Sequence, residues 1–308
     1  MRFRLFTTIA ILFLTIPVAV SQKPVQLKVA LTFDDLPATG AKPTDLTREQ
    51  IVRSILDTLK REHIPPVYGF VNAAKLEGET KTKNSVLTAW RDAGNYLGSH
   101  TWSHADLESV SVEHFEKEIL DNEPALQQYA GASDWHWFRY PFLHEGETLE
   151  KRQAVENFLR DHHYRVAEVS LDFEDTMYNE PYARCMDKQR TASVAAMHDS
   201  YLAVADEYTD IFRSLAHTLY GGDIPYIVLL HVGAATAYML PDLIAQLRSR
   251  GFTFVTLPEA MKDPAYAIDP AIGYPGGGAL QEMLLAARKL PFPPNAKPND
   301  ALDHMCQK

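Results

Sequence analysis

Seven short apolar runs, most followed by a segment with helical periodicity, argue for a mostly parallel sheet whose strands are joined by helices. The first run is the clearest. In Val25, Leu27, Val29, Leu31 and Phe33 apolar residues recur at every second position, the period of a strand, and the run stops at two acids, Asp34 and Asp35. A capping box from Thr47 to Gln50 then opens a helical stripe of Ile51, Val52, Ile55, Leu56 and Leu59. The same reading predicts strands near 67–71, 96–99, 137–140, 165–171, 227–230 and 252–257. It predicts helices near 83–93, 111–128, 150–162, 191–220 and 241–250. Pro124 is expected to kink or break the helix that contains it, and Pro241 to lie near the start of its own. The whole is an α/β architecture, a single domain with an internal insertion before the sixth strand.

A chain of 308 residues with 46% hydrophobic composition can bury one sizeable core. Its ends are of a different kind. Arg2 and Arg4, the apolar stretch Ile9 to Leu14, and the small residues Ala19-Val20-Ser21 read as a secretory signal over residues 1–21. No later stretch has the length of a membrane span. Signal removal takes two arginines and no acids, so the formal charge goes from −10 to −12. A chain that acidic lacks the clustered cations that nucleic acid demands, and no nucleic-acid partner is expected. Residues 258–308 break the strand–helix pattern, with PGGG at Pro275 to Gly278 and a helix near 279–290. They read as a C-terminal extension packed on a catalytic domain of residues 27–257. The two cysteines, Cys185 and Cys306, suit either a disulfide tying that extension down or two unpaired thiols.

The chemistry lies at the strand ends. Asp34 and Asp35 follow the first strand, His100 the third, Arg139 the fourth, Asp172 and Asp175 the fifth, and His231 the sixth. In a parallel α/β barrel these ends converge on one face, where catalytic groups from several strands meet. Two adjacent carboxylates repel unless their tasks differ, for example a cation on one and a proton or an arginine on the other. One carboxylate with His100 and His104 would make a three-ligand site with an open position, the arrangement of catalytic zinc. The other carboxylate would then be free to act as a base.

Taken in order, these segments resemble the motifs of the polysaccharide deacetylase family (NodB homology, carbohydrate esterase family 4). TFDDLP resembles its first motif, HTWSH its second, Arg139-Tyr140-Pro141 its third, Asp172-Phe173-Glu174-Asp175 its fourth and Leu229-Leu230-His231 its fifth. The resemblance implies a distorted (β/α)7 barrel. It also implies Asp35, His100 and His104 as ligands of Zn²⁺ or another divalent metal such as Co²⁺, with Asp34 as general base and His231 as general acid. Arg139 would hold Asp34, Asp175 would orient His231, and the backbone N–H of Tyr140 would stabilise the oxyanion. Two positions depart from the family pattern: Leu36 stands where glycine is usual, and Thr176 where tryptophan is usual.

The expected function is that of an exported metal-dependent hydrolase. It would remove acetyl groups from N-acetylglucosamine-containing glycans, chitin oligomers or peptidoglycan. The alternatives are an O-acetyl xylan esterase on the same scaffold and an inactive glycan-binding protein. Trp102, Trp135, Trp137 and Tyr140 could stack on sugar rings, although aromatic residues around a core are more often packing.

Overall fold

The computed structural model describes residues 26–76, 80–293 and 301–307; the signal segment read at 1–21 lies outside them. Seven parallel strands form one curled sheet: β1 (Lys28–Leu36), β2 (Tyr68–Val71), β3 (Tyr96–Ser99), β4 (Trp137–Phe138), β5 (Arg165–Val166), β6 (Tyr226–His231) and β7 (Thr253–Phe254). The spatial order is β5-β4-β3-β2-β1-β6, with β7 paired to the first residues of β1. Between the strands run α1 (Arg48–Arg61), α2 (Thr80–Asp92), α3 (Val112–Tyr129), α4 (Leu149–Asp161), α5 (Asn179–Asp187), α6 (Thr191–Tyr220) and α7 (Ala234–Ser249). After β7 come α8 (Leu257–Ala260), α9 (Leu280–Ala287) and α10 (Ala301–His304). No described helix is long and apolar enough to cross a membrane.

Both faces of β1 are buried, as a sheet covered by helices requires. The period of two in the sequence therefore separates two kinds of interior. Phe33 points to the helix layer and meets the edge of Trp90 at 5.5 Å. Thr32 and Asp34, on the opposite face, both contact the Arg139 guanidinium.

The sheet departs from the predicted strands in one instructive place. The expected strand at 165–171 splits: β5 keeps two residues beside β4, and Leu171 bridges to Val228 of β6 instead. Leu171 N donates to Ile227 O and Leu229 N to Leu171 O, each at 3.1 Å, so the curl meets itself. A strand switching partners midway is how a short sheet closes, and only β1 spans nine residues.

Other boundaries moved for local reasons. β1 runs through both acids to Leu36. α3 continues through Pro124, because losing one internal hydrogen bond does not stop a helix whose face is pinned by buried Phe115, Ile119 and Leu126. α7 starts at Ala234, straight after β6, and carries Pro241 in its interior. The insertion contains an unexpected helix, α5, whose Cys185 is disulfide-bonded to Cys306. Arg184 and Lys188 donate to carbonyls of Leu302, Asp303, Met305 and Gln307, so the tail end is held on α5. Nearer the barrel, Leu280 N donates to Val169 O, and the buried Gln281 side chain donates to Ser170 O.

Candidate active site

In a regular strand, neighbours point to opposite faces, so Asp34 and Asp35 ought to face different layers. They do not. The pairing of β1 with β2 slips between Phe33 and Leu36, and Asp35 adopts a left-handed φ of 71°. This turn brings both carboxylates to one cavity of about 250 Å³, lined also by His100, His104, Tyr140, Phe142, Leu143, Asp172, Glu174, Thr176, Leu229 and His231. His104, Phe142, Leu143 and Glu174 are likewise left-handed, with φ between 57° and 66°. Such conformations cost about 1–3 kcal/mol each for non-glycine residues and concentrate where a site dictates side-chain direction.

Asp35, His100 and His104 each offer a ligand atom, and the three lie within 4.8 Å of one another. His100 Nδ1 is 2.8 Å from the Arg139 carbonyl oxygen. A carbonyl only accepts, so Nδ1 carries the proton and Nε2 keeps its lone pair toward the cavity. Burial lowers the His100 pKa to about 3 and that of His104 to about 4, keeping both imidazoles neutral. Burial alone would raise the Asp35 pKa, but the nearby Lys75 and His100 outweigh it and hold it below the usual carboxylate range. A carboxylate and two neutral imidazoles are the donor set that a divalent transition metal requires, so the residues fit such an ion.

The two histidines, four apart, belong to no helix. They flank a loop after β3, fixed by Trp102 N donating to Glu118 O at 2.9 Å and Ser103 N to Glu118 Oε2 at 2.7 Å.

Asp34 Oδ2 also lies 3.7 Å from His100 Nε2, but its main partner is different. Arg139 Nη1 lies 3.4 Å from each of its oxygens, while Nε donates to Ala167 O at 2.6 Å and Nη2 to Thr32 Oγ1 at 3.2 Å. Phe70 closes over the guanidinium at 4.8 Å. Burial nevertheless dominates and raises the Asp34 pKa, with Arg139 and His231 opposing it.

Across the cavity, His231 Nδ1 pairs with Asp175 Oδ1 at 2.6 Å. Asp175 is fully buried and also accepts from His231 N and Thr236 Oγ1. Burial pulls the His231 pKa down, but the Asp175 charge and hydrogen bond overcome this and raise it to about 9. Asp172 lines the same cavity, its carboxyl raised by burial to about 6.

All eight site residues expected from the sequence are therefore near one cavity, while for the aromatic residues the packing reading holds over sugar stacking. Trp137 and Tyr140 are buried, and the Tyr140 ring stacks on Phe115. Trp102 and Trp135 do not line the cavity. The aromatic at its mouth is Phe142, 56% exposed, with its ring edge-on to His104 at 4.5 Å. Nothing in the segment PFLH marks it from sequence.

Leu36 keeps out of the cavity altogether. It is fully buried, and a Cβ placed on Gly69 would lie 2.2 Å from its Cδ1, so the missing side chain of β2 makes its space. Thr176 is an exposed part of the cavity wall. Asn72 and Lys75, just after β2, were missed, although the strand-end rule that found the others points at them too. Asn72 Nδ2 donates to the carbonyls of His100 and Thr101.

A curled parallel sheet with carboxylates, imidazoles and an arginine gathered at its strand ends defines the class, an α/β barrel with a polar site on that face. A sequence profile described as polysaccharide deacetylase matches residues 21–160. A peptidoglycan-N-acetylglucosamine deacetylase of Listeria monocytogenes is 24% identical over 233 residues, 75% of this chain but only 38% of that protein. One of Bacillus cereus is 25% identical over 231 residues, covering 75% of this chain and 67% of the relative. The solved structure of the Colletotrichum lindemuthianum chitin deacetylase superposes with a TM-score of 0.54 at 23% identity, over 83% of this chain and 95% of that one. A CE4 family pseudoenzyme of Bacillus anthracis superposes at 0.51 and 17% identity, over 78% and 66%. Part of the chain, residues 21–160, thus matches the polysaccharide deacetylase profile, and its fold is the distorted barrel of the solved chitin deacetylase.

Proposed function

We propose that this protein is an exported metal-dependent deacetylase. It would hydrolyse the N-acetyl groups of N-acetylglucosamine-containing glycans, chitin oligomers or peptidoglycan, and release acetate. The observation that carries this reading is the unequal partnering of two adjacent acids: Asp35 with His100 and His104, Asp34 with Arg139. A zinc ion, or another divalent ion such as cobalt, held by Asp35, His100 and His104 would polarise the acetyl carbonyl and lower the pKa of a water molecule.

The protein's own groups do the remaining work. Asp34 is buried, with its pKa raised, which suits it to take a proton from the attacking water. Arg139 holds both Asp34 oxygens and so fixes the direction of that transfer. His231, with its pKa near 9, is protonated at neutral pH and gives its proton to the departing amine. Tyr140 is among the residues that line the cavity, and its backbone N–H is the candidate donor to the oxyanion. At about 250 Å³ the cavity is smaller than the roughly 300–1,000 Å³ of typical ligand clefts. It suits the acetamido group and its own ring, with Phe142 offering a surface to the next sugar.

The test is acetate release from N-acetylglucosamine oligomers, peptidoglycan and acetylated xylan, with and without chelator, for wild type and Asp34→Asn. General acid and base groups typically contribute about 10²–10⁴-fold each, so Asp34→Asn should lose activity on that scale while keeping its metal. Near-wild-type turnover in the metal-loaded variant would overturn the assignment of the base.

A further inference from the structure

Lys75 belongs to none of the family motifs read from the sequence, yet its ammonium lies 2.7 Å from Asp35 Oδ1. This is the oxygen that faces His104 Nε2 at 3.6 Å. The other oxygen, Oδ2, accepts from Thr39 Oγ1 at 2.7 Å. The lysine sits on a well-tethered turn, Ala73–Leu76. Lys75 N donates to Asn72 O at 3.1 Å, Ala74 N to Trp102 O at 2.8 Å, and Ala73 N to Asn122 Oδ1 at 2.9 Å. With Asn72 bonded to the carbonyls of His100 and Thr101, the turn carrying the lysine is tied to the loop carrying both histidines.

We propose that Lys75 is the counter-cation of the Asp35–His100–His104 triad, a positioning residue that shares Asp35 Oδ1 with a divalent ion and so sets how tightly the site holds it. The inference rests on reading the triad as a metal site. An oxygen already accepting from an ammonium offers less electron density to a metal, and a fixed positive charge beside it repels a second cation. The usual outer partner of a metal ligand acts in the opposite sense: it orients the ligand, and its loss weakens binding by about 10–100-fold. The sign of the affinity change therefore separates the two roles.

The experiment strips the full chain of metal and titrates it with zinc alone against a chromophoric competitor, comparing wild type, Lys75→Met and Lys75→Arg. Lys75→Met should bind zinc on the order of tenfold more tightly and show a larger zinc-induced rise in melting temperature. Lys75→Arg, which keeps the charge, should stay within about threefold of wild type. One zinc per wild-type chain with unchanged or weaker binding in Lys75→Met overturns the inference alone. A wild-type chain that takes up no zinc overturns the metal reading and the inference together. Should Lys75→Met not fold, Lys75→Gln keeps a donor without the charge and carries the same comparison.

Discussion

Asp175→Asn isolates what one buried carboxylate does for the proton donor. Asp175 is fully buried, pairs with His231 Nδ1 at 2.6 Å and is further fixed by His231 N and Thr236 Oγ1. Burial by itself lowers the imidazolium pKa; the Asp175 charge and hydrogen bond reverse that and carry it from 6.5 to about 9. At pH 7.5 a pKa near 9 leaves about 97% of His231 protonated, whereas an ordinary value leaves about 10%. An amide of the same shape keeps the burial and removes the charge. Asp35 and Asp34 add smaller contributions, so Asp175→Asn should lose up to about tenfold in kcat/KM at pH 7.5 and move the alkaline limb of the pH profile down from near 9 toward 6.5. The sign for stability follows from the same raised pKa. The contribution of the raised pKa, at most about 3 kcal/mol and only partly from this pair, is fully present below pH 6.5 and is lost as pH climbs through 9. The variant should show a smaller loss across that window. The assay is acetate release from an N-acetylglucosamine oligomer between pH 5 and 10, with denaturant melts at both ends. An alkaline limb that stays near 9 in Asp175→Asn would refute the reasoning, because the donor's pKa would then be set by another group.

Three further outcomes follow from the packing. Arg139→Met leaves the buried Asp34 carboxylate without its partner and should cost about 3–5 kcal/mol in unfolding free energy; a loss below about 1 kcal/mol would mean that solvent reaches Asp34. Gly69→Ala forces a methyl group onto Leu36 Cδ1 and should destabilise by about 1–3 kcal/mol. Leu36→Ala in the same chain should recover part of that, and a double-mutant cycle with no coupling would contradict the packing. Replacing Cys185 and Cys306 with serine opens a link across 121 residues and should cost up to about 5 kcal/mol. Its readout is guanidinium unfolding, together with faster proteolysis near residues 301–307, while acetate release per folded molecule stays unchanged.

Much of this protein is legible in its sequence because strand and helix periods are local properties. The alternation before Asp34 marks β1, the Thr47–Gln50 capping box marks the start of α1, and polar residues at strand ends mark the site. The alternation of strands with helices, the mainly parallel pairing it implies, and the chemical identity of the Asp, His and Arg set needed nothing beyond the order of residues.

What the sequence left undecided depends on contacts between segments far apart in the chain. Nothing local says that the strand at 165–171 divides its pairing between β4 and β6, or that Pro124 is tolerated by a helix held along one face. Leu36 looks like a threat to the site until Gly69, on the neighbouring strand, is seen to make room for it. Phe142 carries no signature of its own and Lys75 only its place after a strand end; they join the site because tethered turns deliver them there. The two adjacent acids show the division most plainly. Their identity was written in the sequence, but adjacent residues of a strand diverge. Only the slipped register and the left-handed turn at Asp35 bring both into one cavity, and only the surrounding shell gives one an arginine and the other two histidines and a lysine.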